Sequence, residues 1–485
     1  MFEVEFPVRS PALLAPVVGE DQVRSLVALG EQVHNQLKGR RVVSINSTAA
    51  GGGVAEMLPV LLSYASGVGV ECRWLVVEGN AEFFEITKRL HNRIHGERGD
   101  GGPLGSAERD AMIAAIASNE ADAARLMEPG DVVLIHDPQP TPLAAWLSAR
   151  AVPLIWRCHI GFDHSNQYTE QAWEFLRPLI EPYIDQYVFT RREYAPEWVP
   201  RDRLKIIRPA LDPFASKNIE LDEPTVLSTL QHIGIVSGSS QHAPIFNRPN
   251  GTSGRVTRTA RIVRDGPAPQ AQTPLVVQVS RWDPLKDMAG VMHAFAHEPG
   301  CADAYLVLAG PDVESVTDDP EGKKTLSEVT EQWRTLPESA RSRIAIVCLP
   351  MDDPEENAIM VNALQRHAAV VVQKSLKEGF GLTVAEAMFK GRPMVASAVG
   401  GIVDQVRDGV DGLLVQDPHD LTATGAAIAS LLDDRSRAEH MGRAAHESVV
   451  SQFLPDTSLT EWARTLSAAL ASANERVATQ TFNLT

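Results

Sequence analysis

The chain has 485 residues, of which 44% are hydrophobic and 22% charged. That is the balance of a globular protein too long for one core, so two or three domains are expected. The net charge of −17, from 45 Lys+Arg against 62 Asp+Glu, excludes nucleic-acid binding as the main activity and disfavours an anionic membrane surface, because both need clustered cations. No apolar run is long enough to span a membrane.

The opening MFEVEFPVRS carries early acidic residues and no apolar h-region, so no secretory leader is read there. Cys72, Cys158, Cys301 and Cys348 are widely spaced and form no C-x-x-C. Buried reduced thiols and a cytoplasmic location are the expectation.

Short apolar runs alternate with helical patterns. RVVSIN (41–46), RWLVVEG (73–79), DVVLIHDP (131–138) and PLIWRCHI (153–160) read as strands, with helices after the first three. The rhythm resumes with PLVVQVS (274–280), AYLVLAG (304–310), RIAIVCLP (343–350), AAVVVQKS (368–375) and PMVASAV (393–399). Such runs alternating with helices predict parallel sheets covered on both faces, hence two doubly wound domains. The predicted division is 1–225 for the first domain, 226–272 for a linker or insertion, 273–450 for the second domain, and 451–485 for a C-terminal helix and tail. The insertion carries Arg248, Arg255, Arg258, Arg261 and Arg264. They belong either to a solvated linker or to a contact with substrate or a neighbouring subunit.

Four places carry candidate chemistry. STAAGGGVAE (47–56) lies between the first strand and its helix. Gly52 and Gly53 there either bring backbone amides to an anionic ligand or simply make a tight turn. The loop is not G-x-G-x-x-G, which argues against a nicotinamide enzyme. Arg281 and Lys286 follow a strand, where the ligand crevice of an open α/β sheet lies. They suit a pyrophosphate clamp, the alternative being surface pairing with Asp283 or Asp287. Glu378 and Glu386 flank Gly379-Phe380-Gly381-Leu382 at a predicted strand-to-helix turn. His159 and His136 both end strands, Arg157 lies near them, and a structural role is the alternative for each. No D-x-D occurs, so cations and helix dipoles have to serve in place of a metal bridge.

Together, the cations at 281 and 286, the glutamate pair around GFG and the early glycine loop resemble the retaining family-4 glycosyltransferases with the GT-B fold. GGGVAEML, RWLVVEGNAEFFEITKRLHNRIHG, WRCHI, AWEFLRPLIEPY, VSRWDPLKD and VVQKSLKEGFGLTVAEAMFKGRPMVASAVGGI narrow the resemblance to one branch. That branch holds the trehalose glycosyltransferring synthases and the retaining trehalose phosphorylases. The resemblance implies two Rossmann-like domains facing across a cleft, an N-terminal acceptor domain and a C-terminal nucleotide-sugar domain.

It further implies glucose transfer from a nucleoside diphosphate-glucose to glucose, giving trehalose. The alternatives are a phosphorylase, which uses phosphate instead of a nucleotide, and a transferase acting on another small polyol. A sugar-nucleotide-binding protein without turnover is the reading from another class. In the implied roles Arg281 and Lys286 hold the diphosphate, Glu386 the ribose and Glu378 the donor sugar. Gly52, Gly53, Gly379, Phe380, Gly381 and Leu382 line the donor, and His159 stands near the transferring sugar. Glu78, Lys88, Asn92, His136 and Arg157 are the acceptor candidates. No cofactor or metal is implied. The partners are the nucleotide sugar and a small sugar, with no nucleic acid and no membrane, and a homodimer is admitted.

Overall fold

The computed structural model describes all residues except 51–52, 249–250, 315–319 and 483–485, with side chains described through 473. The chain divides into two compact units, Met1–Ala210 with Phe453–Thr485, and Leu211–Gln452.

Unit 1 is built on a seven-stranded sheet of β1 (Phe2–Glu3), β2 (Val42–Asn46), β3 (Cys72–Val76), β4 (Val132–His136), β5 (Leu154–Cys158), β6 (Gln186–Phe189) and β7 (Leu204–Ile206). Their order is β1-β3-β2-β4-β5-β6-β7. All pair in parallel except β1, which runs antiparallel to β3. The strands are apolar on both sides because the sheet is covered on both sides. Val43, Ile45, Val133, Ile135 and Trp156 pack into one core with Phe83, Leu90, Phe175 and Leu176 of the helices Ala81–Ile94 and Gln167–Ile180. Their neighbours Val42, Val132, Leu134 and Ile155 point the other way, onto Val33 of Glu20–Leu37 and Trp462 and Leu466 of Pro455–Phe482. The last helix is therefore part of the unit that the chain's first half builds.

Unit 2 begins at Leu211, earlier than the expected boundary. After the helix Glu223–His232 comes a hairpin of β8 (Ile245–Asn247) and β9 (Ser253–Arg255). The main sheet contains β10 (Arg261–Val263), β11 (Leu275–Val279), β12 (Tyr305–Pro311), β13 (Ile344–Leu349), β14 (Val370–Gln373), β15 (Met394–Ser397) and β16 (Leu413–Val415). Their order is β10-β13-β12-β11-β14-β15-β16, with β10 the antiparallel edge.

The segment expected as a linker or insertion, 226–272, thus contributes β8, β9 and a strand of this sheet, β10, among its described residues. Four of its five arginines are pinned inside the unit, and Arg255 is exposed on β9. Arg248 pairs with Glu355, Arg258 with Glu356 at 3.0 Å and Arg261 with Asp312 at 2.8 Å, and Arg264 donates to the Gly234 carbonyl at 2.7 Å. A segment rich in Gly, Ser and Pro is here held by ion pairs to residues far along the chain.

All four cysteines are free. Burial raises the thiol pKa of Cys72 and Cys301 to about 12 each and that of Cys348 to about 11. No helix of the described residues is long and apolar enough to cross a membrane.

Candidate active site

In unit 2 the chain leaves β11 toward β12 on one side and later returns to β14 on the other. The topological switch point is therefore between β11 and β14, where open α/β sheets bind ligands beyond the strands' carboxyl ends. The loops after these two strands carry the predicted residues. Gln278, fully buried on β11, ties the loops together: its amide donates to the Lys286 carbonyl at 2.7 Å and accepts from the Lys374 amide at 3.0 Å. The Leu376 amide donates to the Leu285 carbonyl at 2.7 Å. Asp283 caps the short turn Pro284–Lys286, and Asp287 caps the helix Met288–His297. Lys374 pairs with Asp287.

This frame brings Lys286 Nζ to 2.5 Å from Glu378 Oε2, an oxygen that also accepts from Ser375 Oγ at 3.1 Å. Arg281 does not join them. Its side chain is 75% exposed and its nearest carboxylate is Asp283 at 3.5 Å, which is the surface pairing that stood as the alternative. Two cations five positions apart in sequence are separated because the intervening turn points them differently.

The GFG turn is held from behind. Gly381 has φ +84° and lies directly before the helix Leu382–Phe389. Gly401 donates to the Gly379 carbonyl at 3.0 Å, and Gln405 donates to the Phe380 carbonyl. One turn into the helix, the Glu386 carboxylate is 4% exposed and lies 2.9 Å from Lys217 Nζ. Lys390, a further turn on, is enclosed. Its ammonium donates to Gln365 Oε1 at 2.8 Å, the Glu386 carbonyl at 3.1 Å and Asn218 Oδ1 at 3.2 Å. Burial lowers its pKa to about 7, against the opposing pull of Glu386. Sequence reasoning missed Gln278, Lys217 and Lys390. Only Lys390, four residues after Glu386, stood where helical spacing offered a signal.

In unit 1 the switch point is between β2 and β4. Gly52 falls outside the described residues. Gly53 opens the helix Gly53–Gly67, and a Cβ there would meet nothing within 4 Å. Beyond β4, Asp137 takes the left-handed conformation, φ +61°, and its Oδ1 accepts from the His159 amide at 2.7 Å. Burial raises its carboxyl pKa to about 6, opposed by that amide and by Arg157.

His136 Nδ1 and His159 Nε2 are 3.1 Å apart, and Arg157 donates to His159 Nδ1 at 3.4 Å and to Thr190 Oγ1 at 3.0 Å. Burial first, and Arg157 second, lower the pKa of His136 to about 3 and that of His159 well below the ordinary value. Both rings are therefore neutral near pH 7. Arg157 is itself lowered to about 10 by burial. His136, His159 and Arg157 thus meet at the carboxyl ends of two adjacent strands.

The remaining acceptor candidates stand apart from this cluster. Glu78 Oε2 lies 2.7 Å from the Met1 ammonium, Lys88 is exposed on its helix, and Asn92 packs near Gly99. Among the described residues no group of three or more His, Cys, Asp or Glu side chains is arranged to hold a metal.

Residues 44–196 match the model of the trehalose synthase N-terminal domain, and residues 261–448 match that of the glycosyl transferases group 1. The trehalose synthase of Thermococcus litoralis is 32% identical over 444 residues, covering 90% of this chain and 92% of that protein. The trehalose phosphorylase of Pleurotus pulmonarius is 25% identical over 459 residues, covering 89% of this chain and 57% of that protein. The structure of sucrose-phosphate synthase from Thermosynechococcus elongatus aligns with a TM-score of 0.59 at 17% identity, covering 92% of this chain and 100% of that one. The two parallel-sheet units are those of the GT-B fold. The chain is a glycosyltransferase-type enzyme, and it belongs to the trehalose synthase and trehalose phosphorylase branch of the GT-B family.

Proposed function

We propose that this protein transfers glucose from a nucleoside diphosphate-glucose to glucose, with retention of configuration, to form trehalose. The observation that carries the reading is the Lys286–Glu378 pair at the switch point of unit 2, with the buried Glu386–Lys217 pair one helical turn beyond the GFG turn.

In this reading Lys286 and Arg281 hold the donor diphosphate. Lys286 is neutralised by Glu378 in the free protein and exchanges that carboxylate for the phosphate. Arg281, exposed and only weakly paired, is free to swing onto it. The amides at the start of Leu382–Phe389 add their dipole to the same charge. Glu386 accepts from the ribose hydroxyls, and Glu378 turns to the hydroxyls of the sugar. Unit 1 holds the acceptor near His159. The bond between the sugar C1 and the diphosphate oxygen breaks, and negative charge gathers on the diphosphate, where preorganised cations stabilise it. The acceptor hydroxyl attacks C1 from the same face, and its proton passes to the departing phosphate oxygen. No metal or cofactor takes part.

A phosphorylase remains the second reading, favoured by the fungal relative, because the same cations suit inorganic phosphate. The test is incubation of the purified protein with ADP-, UDP- and GDP-glucose plus glucose, reading product and anomeric configuration by NMR. α,α-Trehalose that requires a nucleotide sugar is expected. Trehalose loss that depends on phosphate without nucleotide, or trehalose formed from maltose alone, overturns the reading.

A further inference from the structure

We propose that unit 1 carries an oxyanion site formed by His136, Arg157 and Arg208, taking inorganic phosphate or the phosphoryl group of a sugar phosphate. These residues line a small pocket, together with His159, Ser458 and Trp462. Among the described residues no aspartate or glutamate lines it. Asp137 interacts with Arg157 from outside the lining, and no carboxylate lines the pocket against Arg208.

The proton positions make the pocket donating. Arg157 Nε donates to His159 Nδ1 at 3.4 Å, which places the His159 proton on Nε2. That N–H then donates to His136 Nδ1 across 3.1 Å, which places the His136 proton on Nε2. A neutral imidazole has one donor and one acceptor, so the relay allows no other assignment. His136 Nε2, Arg157 Nη1 and Arg208 Nε are buried and have no hydrogen-bond partner among the described residues. His136 is 1% exposed and Arg157 2%. Arg208 is steadied by Phe453, whose ring centre lies 5.9 Å from its guanidinium carbon.

Three buried donors facing one pocket call for a ligand that offers acceptors and brings negative charge. Phosphate does both, and a neutral sugar hydroxyl supplies no charge. The site is distinct from the cations at 281 and 286, and it does not depend on which donor the enzyme uses.

The experiment is calorimetric titration of the full chain carrying Arg281→Met and Lys286→Met, which removes the cations of unit 2. Inorganic phosphate and glucose 6-phosphate are the probes, with chloride at matched ionic strength as the control. Saturable binding of at least one anion is expected, weakened about tenfold or more by adding Arg208→Met and less by Arg208→Lys. Equal affinity for the two anions identifies free phosphate as sufficient, and tighter binding of glucose 6-phosphate identifies a sugar-borne phosphoryl group. Binding of neither anion, or affinity unchanged by Arg208→Met, overturns the proposal. A readout that needs no further variant is the His136 Nε2–H resonance. A shift on adding the anion supports the site, and no shift overturns it.

Discussion

Gln278 joins Lys286 to Lys374: one buried amide donates to the carbonyl of the first and accepts from the backbone N–H of the second. Two loops that are distant in sequence are locked to adjacent strands, and the ammonium of Lys286 is delivered to Glu378. Replacing Gln278 with Leu leaves both backbone groups without that partner. A cost of about 2–4 kcal/mol in denaturant unfolding is expected, with a proportionally larger fall in kcat/KM than in stability. Unchanged kcat/KM would show that the two loops keep their positions without the bridge.

The Lys286–Glu378 pair itself separates charge from shape. Lys286→Met is expected to lower kcat about 10²–10³-fold, the usual loss when one preorganised charge facing a leaving group is removed, with little change in Tm. Glu378→Gln keeps the shape, so it is expected to lower kcat/KM while leaving affinity for the free nucleoside diphosphate equal or tighter, since Lys286 loses its competing carboxylate.

Lys217 is predicted to matter through Glu386. The pair is 2.9 Å apart, and Lys217→Met removes the charge that orients the carboxylate. The expected result is a rise in donor KM of about tenfold with kcat nearly unchanged. A donor whose ribose lacks a hydroxyl is expected to lose less affinity in this variant than in the wild type. Rescue by Lys217→Arg supports the charge as the cause.

At Gly401 a Cβ would stand 2.7 Å from the Phe380 Cα and 2.8 Å from the Gly379 carbonyl oxygen. Both are backbone atoms, so Gly401→Ala has to displace the GFG turn. A stability loss of about 1–3 kcal/mol is expected, with Glu378 moved away from Lys286 and activity largely lost. Gly379→Ala is the control for stability, since nothing lies within 4 Å of its Cβ.

Lys390 gives a pH dependence. Its folded pKa is lowered to about 7 from 10.5, so between those values the unfolded chain binds the proton that the folded chain has lost. Stability therefore rises with pH across that window, by at most about 1.4 kcal/mol per pH unit from this group. Below pH 7 the ammonium is charged in both states and the burial penalty is full. The unfolding free energy of the wild type minus that of Lys390→Met is expected to climb from pH 7 to 10. A flat difference would mean that the enclosed ammonium is not desolvated.

Much of this protein is legible along the chain. The runs at 41–46, 131–138, 153–160, 274–280 and 343–350 contain the strands β2, β4, β5, β11 and β13, because consecutive apolar residues suit a sheet buried on both faces. The GFG turn is local chemistry, since the helix follows a glycine at positive φ. Those features, and the family they point to, were determined by the sequence.

The tertiary structure decided which neighbours in sequence act together. It joined Lys286 to Glu378 and left Arg281 in solvent, because side chains five positions apart on a turn need not share a direction. It joined Glu386 to Lys217, assembled His136, Arg157 and His159 while leaving Glu78, Lys88 and Asn92 aside, and made a sheet edge of the arginine-rich segment. Each of these outcomes rests on contacts between residues far apart in the chain. Hydrophobic periodicity carries only near neighbours, whereas hydrogen bonds, ion pairs and burial are settled when the strands take their places in the sheet.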